Sequence, residues 1–188
     1  MKRVWCVLAL GLAALPLWAQ TSTWKIDPKH SNAQFVVRHL GISNVQGQFT
    51  KVSGTVELDE KDVTKSSVNA TIDASSVDTR VEIRDQDLRS DHFFDVAKYP
   101  TLTFQSKRIA RAADGKVQMT GDLTMHGVTR EVTFDLEGPS DAIEDSGRMK
   151  RGASATGVIK RSDFGINGAE ATAGDEVKIT LDVEMIKQ

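Results

Sequence analysis

Val117-Gln-Met-Thr-Gly-Asp-Leu-Thr-Met125, His126-Gly127 and Val128-Thr-Arg-Glu-Val-Thr-Phe-Asp-Leu136 form the stretch whose reading decides the fold. Val117, Met119, Leu123 and Met125 share an odd-numbered face, and Val128, Val132, Phe134 and Leu136 share an even-numbered one. Period two over this length marks two strands with one dry side and one wet side, which is the pattern of antiparallel pairing. Between them, a two-residue turn needs positive φ, and Gly127 supplies it.

The same alternation runs outward in both directions. Ala33, Phe35, Val37 and His39 alternate with Gln34 and Arg38, interrupted only by Val36. Val56 and Leu58, then Val68, Ala70 and Ile72, then Leu102 and Phe104 repeat it, and Val177, Ile179, Leu181, Val183 and Met185 close the chain with it. Asp114-Gly115 and Asp145-Ser146-Gly147 separate further runs as turns. The acidic residues from Asp141 to Asp145, followed by Arg148, Lys150 and Arg151, read as a solvated hairpin loop. About eight or nine strands result, and so many must hide their edges in a sandwich or a closed barrel. The length of the late strands favours an all-β, antiparallel, eight-stranded barrel, whose interior can hold one small ligand.

One segment departs from period two. Thr79-Arg80-Val81-Glu82 has the form of a capping box, and Asp85 stands four residues before Arg89 in the order that suits a helical ion pair. A second short helix is expected after Ser90, ending before Pro100. This helical excursion, from Arg80 to Tyr99, reads either as a cap over one barrel end or as a permanent plug.

The chain has 188 residues, 39% hydrophobic and 27% charged, with four prolines and fourteen glycines, which suits one globular domain. Lys2 and Arg3 precede an uncharged apolar run from Val4 to Ala19, too short for a membrane helix and typical of a secretory signal peptide. Removal of residues 1–19 leaves a single domain over 20–188, with no membrane span. Its formal charge moves from −2 to −4, because only Lys2 and Arg3 are lost. An acidic surface argues against nucleic acid as a partner. Cys6 is the one cysteine and lies in the leader, so neither disulfides nor thiol chemistry are available to the exported chain. A bacterial periplasmic location follows.

Several motifs, taken in order, carry a resemblance to a known family. Trp24-Lys-Ile-Asp27, His30-Ser31, Phe35, His39-Leu40-Gly41, Gly47-x-Phe49 and Gly54 open it. Ser76-Val77-Asp78-Thr79, Arg84-Asp85, Leu88-Arg89-Ser90, Phe93-Phe94 and Lys98-Tyr99-Pro100 form its most distinctive part. Thr103-Phe104, Gly121-Asp122-Leu123-Thr124, Gly127-Val128-Thr129 and Asp163-Phe164-Gly165-Ile166 complete it. In these positions the chain resembles the YceI-like proteins. The resemblance implies a lipocalin-like barrel in the periplasm, often a homodimer, holding a polyisoprenoid or a similar long amphiphile such as a quinone or fatty acid. The leading expectation is a binding protein or carrier with no cofactor and no chemistry of its own.

Candidate wall residues for such a ligand are Phe35, Val37, His39, Phe104, Leu123 and Met125, with Phe134, Phe164 and Ile166 from the later chain. The same residues would equally fill a solid core. Leu88, Phe93, Phe94 and Tyr99 are the apolar groups of the helical excursion that would face the ligand. Arg84 and Arg89 are head-group candidates, since guanidinium matches phosphate oxygens in a forked geometry; pairing with Asp85, Asp78 or Asp91 is their alternative role. Asp91-His92 with Asp95 lacks the spacing of a metal site, His39 suits a structural hydrogen bond, and His30-Ser31 has no nucleophile elbow around it. Beside the carrier stand two other readings, an enzyme acting on a lipid and an interaction module of the envelope.

Overall fold

The computed structural model describes residues 21–188. The signal-peptide expectation therefore falls outside the described residues. The strands are β1 (Thr21–Ile26), β2 (Asn32–His39), β3 (Ser43–Phe49), β4 (Val52–Asp59), β5 (Ser67–Asp73), β6 (Val77–Asp78) and β7 (Thr101–Arg111), followed by β8 (Val117–Met125), β9 (Val128–Glu137), β10 (Ile143–Asp145), β11 (Arg148–Lys160) and β12 (Ala173–Lys187). One α-helix, α1 (Glu82–Arg89), lies between β6 and β7.

These twelve segments make eight staves. β1 and β2 lie end to end along one edge of β12, which pairs Met185 with Ile26 and Ile179 with Phe35. β3 and β4 face them in the same way, with Gly47 opposite Phe35 and Val56 opposite Trp24. β5 pairs with β4 and the short β6 with β3. From β5 the ring continues through β7, β8, β9 and β11, all antiparallel. β11 then pairs with β12 from Lys150–Ile186 to Lys160–Glu176, which closes the barrel. Closure removes the exposed edges that an open antiparallel sheet would carry.

The turn chemistry is as the sequence implies. His126 and Gly127 both have positive φ, +52° and +74°, between the paired residues Met125 and Val128. The acidic hairpin is more ordered than expected: Ile143–Asp145 forms β10 and pairs with Arg148–Lys150 across Ser146-Gly147.

The helical excursion differs from its sequence reading in three ways. Thr79 does not cap α1, whose first flanking residue is Val81 with no side-chain cap. Instead the Thr79 N–H and hydroxyl both donate to Asp85 Oδ1, at 2.8 and 2.5 Å. That bond takes Asp85 away from Arg89, so the expected i,i+4 pair is absent. Arg89 donates to the Ser75 and Val77 carbonyls, with Glu82 3.6 Å from its Nη1. After Ser90 the chain makes turns rather than a second helix.

The strand directions give the barrel two different ends. At one, Trp24 is 1% exposed and packs with Val56, Leu58 and Met185. At the other stand α1, the turns from Asp91 to Tyr99, the β2–β3 hairpin and the loop after β11. No helix among the described residues is long and apolar enough to cross a membrane.

Candidate functional site

Inside the barrel is a cavity of about 420 Å3, within the size range of small-molecule sites. Its wall is built by the inward-facing alternate residues of nearly every stave, among them Ile26, Val52, Ile72, Leu102, Met119 and Leu181. Alternation alone dictates this: residues on the dry face of each strand point at one another across a closed ring.

Why the interior is hollow is visible in its small residues. On β11 the inward positions include Ala153, Ala155 and Gly157, and β5 contributes Ala70. The aromatic rings need this room. A Cβ on Gly157 would stand 2.7 Å from Phe134, and one on Gly47 would run into the Phe35 ring. Phe134 in turn meets Phe104 edge to face at 5.7 Å, and Phe35 leans on Phe49 at 5.8 Å. The rings thus lie against the wall rather than across the lumen.

Most of the residues singled out in the sequence meet here. Phe35, Val37, His39, Phe104, Leu123, Met125, Phe134 and Ile166 line the cavity, and Leu88, Phe93 and Phe94 reach it from the helical excursion. Phe94 stacks edge-on against Phe49 at 5.4 Å, which ties the excursion to β3. Two others stand elsewhere. Tyr99 lies beside the β8–β9 turn, 4.9 Å from the His126 ring and under Gly127. Phe164 is 1% exposed and packed into the wall, where its carbonyl faces His126 Nδ1 at 3.2 Å. His39 makes no side-chain hydrogen bond among the described residues, contrary to the structural role expected of it; it borders the lumen instead.

The two arginines of the excursion separate. Arg84 borders the cavity and donates from Nε to the Thr79 hydroxyl and from Nη2 to the Thr79 carbonyl, at 2.7 and 2.9 Å. Arg89 stands behind the helix on the Ser75 and Val77 carbonyls and does not border the cavity. Neither pairs with Asp85, Asp78 or Asp91. Backbone and hydroxyl acceptors anchor this end instead.

Sequence reading missed Arg161. It is 7% exposed, borders the cavity, and donates to the carbonyls of Ile166, Gly168, Ala173 and Gly174 at 2.7–3.0 Å. One guanidinium thereby fixes the whole loop between β11 and β12. Set between Lys160 and Ser162, nothing in the local pattern distinguishes it from a surface charge.

Histidine and carboxylate groups converge at one place not expected from spacing, Asp27, His30 and Glu184. His30 Nδ1 is 2.9 Å from Asp27, and this hydrogen bond holds the Asp27 carboxyl below its usual range. Lys150 Nζ already stands 3.0 Å from Glu184, so the group carries its own cation. His92, of the Asp91–Asp95 segment, faces Asp87 at 3.3 Å.

Comparison with known proteins agrees with this architecture. The chain is 38% identical to a UPF0312 protein of Vibrio parahaemolyticus over 165 residues, 85% of this chain and 87% of that one. Among solved structures it is similar to BcnA of Burkholderia cenocepacia, with a TM-score of 0.73 and 26% identity over 85% of this chain and 98% of that one. A polyisoprenoid binding domain from Saccharophagus degradans shares the fold at a TM-score of 0.64 and 16% identity, over 88% of this chain and 98% of that one. Residues 24–185 match the family model described as the YceI-like domain, and the chain belongs to that family.

Proposed function

We propose that this protein is a periplasmic carrier or reservoir for a polyisoprenoid or similar long-chain amphiphile held inside the barrel. The observation that carries the reading is the cavity itself: about 420 Å3 of lumen inside a wall whose facing side chains are overwhelmingly aliphatic and aromatic. Apolar surface gains roughly 25 cal/mol for each Å2 removed from water, so burying roughly 400 Å2 of tail gives about 10 kcal/mol before the costs of association. A tail bound in this way needs no hydrogen bond, and length and girth select it more than chemistry does.

The polyisoprenoid binding named for the structural neighbour supports the choice of ligand class. The uncharged run from Val4 to Ala19 behind Lys2 and Arg3 supports export. In this reading Phe35, Phe104, Leu123 and Phe134 contact the tail, while Leu88, Phe93 and Phe94 cover it at the helix end. Arg84 rather than Arg89 is the residue placed to meet a polar head, and no reaction is assigned.

The test is an organic extract of protein purified from an exporting host, analysed by mass spectrometry. A long apolar chain near one per protein is the expected result. Protein that is fully folded yet carries no such chain, and takes none up from added lipid, would overturn the proposal.

A further inference from the structure

Six charged or titratable side chains border the cavity: Arg38, His39, Arg84, Asp87, Glu137 and Arg161. They are not evenly spread. Glu137 pairs with Ser154 toward the Trp24 end of β9. The other five stand at the helix end, where β2 turns back and β11 runs out.

The balance of charge there is positive. Arg161 makes no ion pair among the described residues; four neutral carbonyls take four of its five N–H groups. Carbonyl dipoles stabilise the cation without cancelling its charge. Arg84 spends Nε and Nη2 on Thr79, and its Nη1 makes no hydrogen bond among the described residues. Arg38 holds the Gly41 carbonyl and Asn44 at the rim.

Against these stand two carboxylates. Asp85, 4% exposed, is bonded to Thr79 and so lies one group removed from Arg84. Asp87 is on the rim beside His92. Asp175 on β12 is exposed and accepts from the Ser162 N–H and hydroxyl; these bonds, with a smaller pull from Arg161, hold its carboxyl below the usual range. Arg38 is exposed, so the guanidiniums beside the lumen are Arg84 and the buried Arg161; Arg161 has no carboxylate within ion-pair distance among the described residues, and a buried charge so placed is costly without a counterion.

Resting on the binding reading above, we infer that the helix end of the cavity is an acceptor site for a singly charged acid head, a carboxylate, on the amphiphile whose tail fills the barrel. Arg84 Nη1 supplies the open donors and Arg161 the supporting field. The asymmetry also sets direction, acid at the helix end and tail toward Trp24, since Glu137 repels an anion from the other end.

Binding of cis-parinaric acid and of its methyl ester, followed by polyene fluorescence at low ionic strength, tests this. The two probes share a tail and differ in head charge. The acid is expected to bind about tenfold more tightly than the ester, as one charge-assisted hydrogen bond to Arg84 would give. Arg84→Gln should reduce the acid-over-ester preference to near one. Arg84→Lys, which keeps the charge, should retain most of the preference. Equal binding of acid and ester by the native protein overturns the inference and leaves the binding reading standing. An Arg84→Gln variant that weakens both probes alike overturns it too. Failure of both probes to bind contradicts the binding reading and this inference together.

Discussion

The two ends of the barrel are built on different principles. At the Trp24 end, strand residues do the closing: the indole packs on Val56, Leu58 and Met185, and its Nε1 donates to Ser22 at 2.7 Å. Arg151 and Lys187 lie over its ring at 5.3 and 5.7 Å, and both reach Glu60, at 2.7 and 3.8 Å. At the helix end, closure comes from connections. There α1, the turns after it and the β11–β12 loop are held by Asp85, Arg89 and Arg161, mostly through bonds to backbone groups. The first arrangement cannot open without breaking the barrel. The second can, because its anchors are few and lie outside the ladder of strand pairs. On the proposed binding function, that contrast gives stability to one end and ligand entry to the other.

The most disruptive way to probe it is Trp24→Ala. Loss of a fully buried indole should cost about 3–5 kcal/mol in equilibrium unfolding. An effect below about 1 kcal/mol would show that the Trp24 end is not the keystone of the fold. Next in size is Asp85→Ala, which strands the Thr79 N–H and hydroxyl and should cost about 1–3 kcal/mol. Its signature is local: hydrogen exchange should rise across Glu82–Arg89 while amides of β7–β9 stay protected, and ligand should exchange faster. Uniform loss of protection would mean that α1 is integral to the barrel and not a separable cover.

Acid should weaken the bonds that hold Asp27 and Glu60 on the Trp24 side of the molecule. Hydrogen bonds from His30 to Asp27 and from Ser22 to Glu60 hold both carboxyls below their usual values of 3.8 and 4.5. A lowered carboxyl contributes stability above its unfolded value and loses it as pH falls through the folded one. Unfolding midpoints should therefore decline below about pH 4, and less steeply in Asp27→Asn. The mirror case is Lys150, raised above 10.5 chiefly by Asp145, whose contribution fades only in strong alkali. Smallest of all is Glu82→Gln. It removes an exposed partner 3.6 Å from Arg89 and should change stability by less than about 0.5 kcal/mol. A larger effect would restore ion pairing as the anchor of α1.

How much of this was legible in the sequence depended on side-chain size and on competition for partners. β8, β9 and β12 are read directly because most of their inward residues are large, with Gly121 and Arg130 the breaks in the first two. β11 escapes notice since its inward positions include Ala153, Ala155 and Gly157, and β3 because only Val45, Gly47 and Phe49 point inward along it. Those weak signals mark the space that makes a lumen. The capping box at Thr79 fails for another reason: a buried carboxylate one turn into the helix takes the Thr79 N–H and turns its hydroxyl from acceptor to donor. Eight of the nine expected wall residues and three of the four from the excursion border the cavity; for those on strands, period two fixes which face is inward. Arg161 could not be found, as its partners are carbonyls that only the folded loop brings together.

The most direct test of the account compares lipid extracts from the native protein and from Ala155→Phe, purified side by side from one exporting host. Ala155 is buried in the middle of β11 and borders the cavity, so a ring there fills the lumen without touching either end. The account predicts a long apolar chain in the native extract and little or none from the variant, with matching circular dichroism. Equal amounts of the same chain from both would place the ligand elsewhere and contradict the claim that the barrel interior binds it.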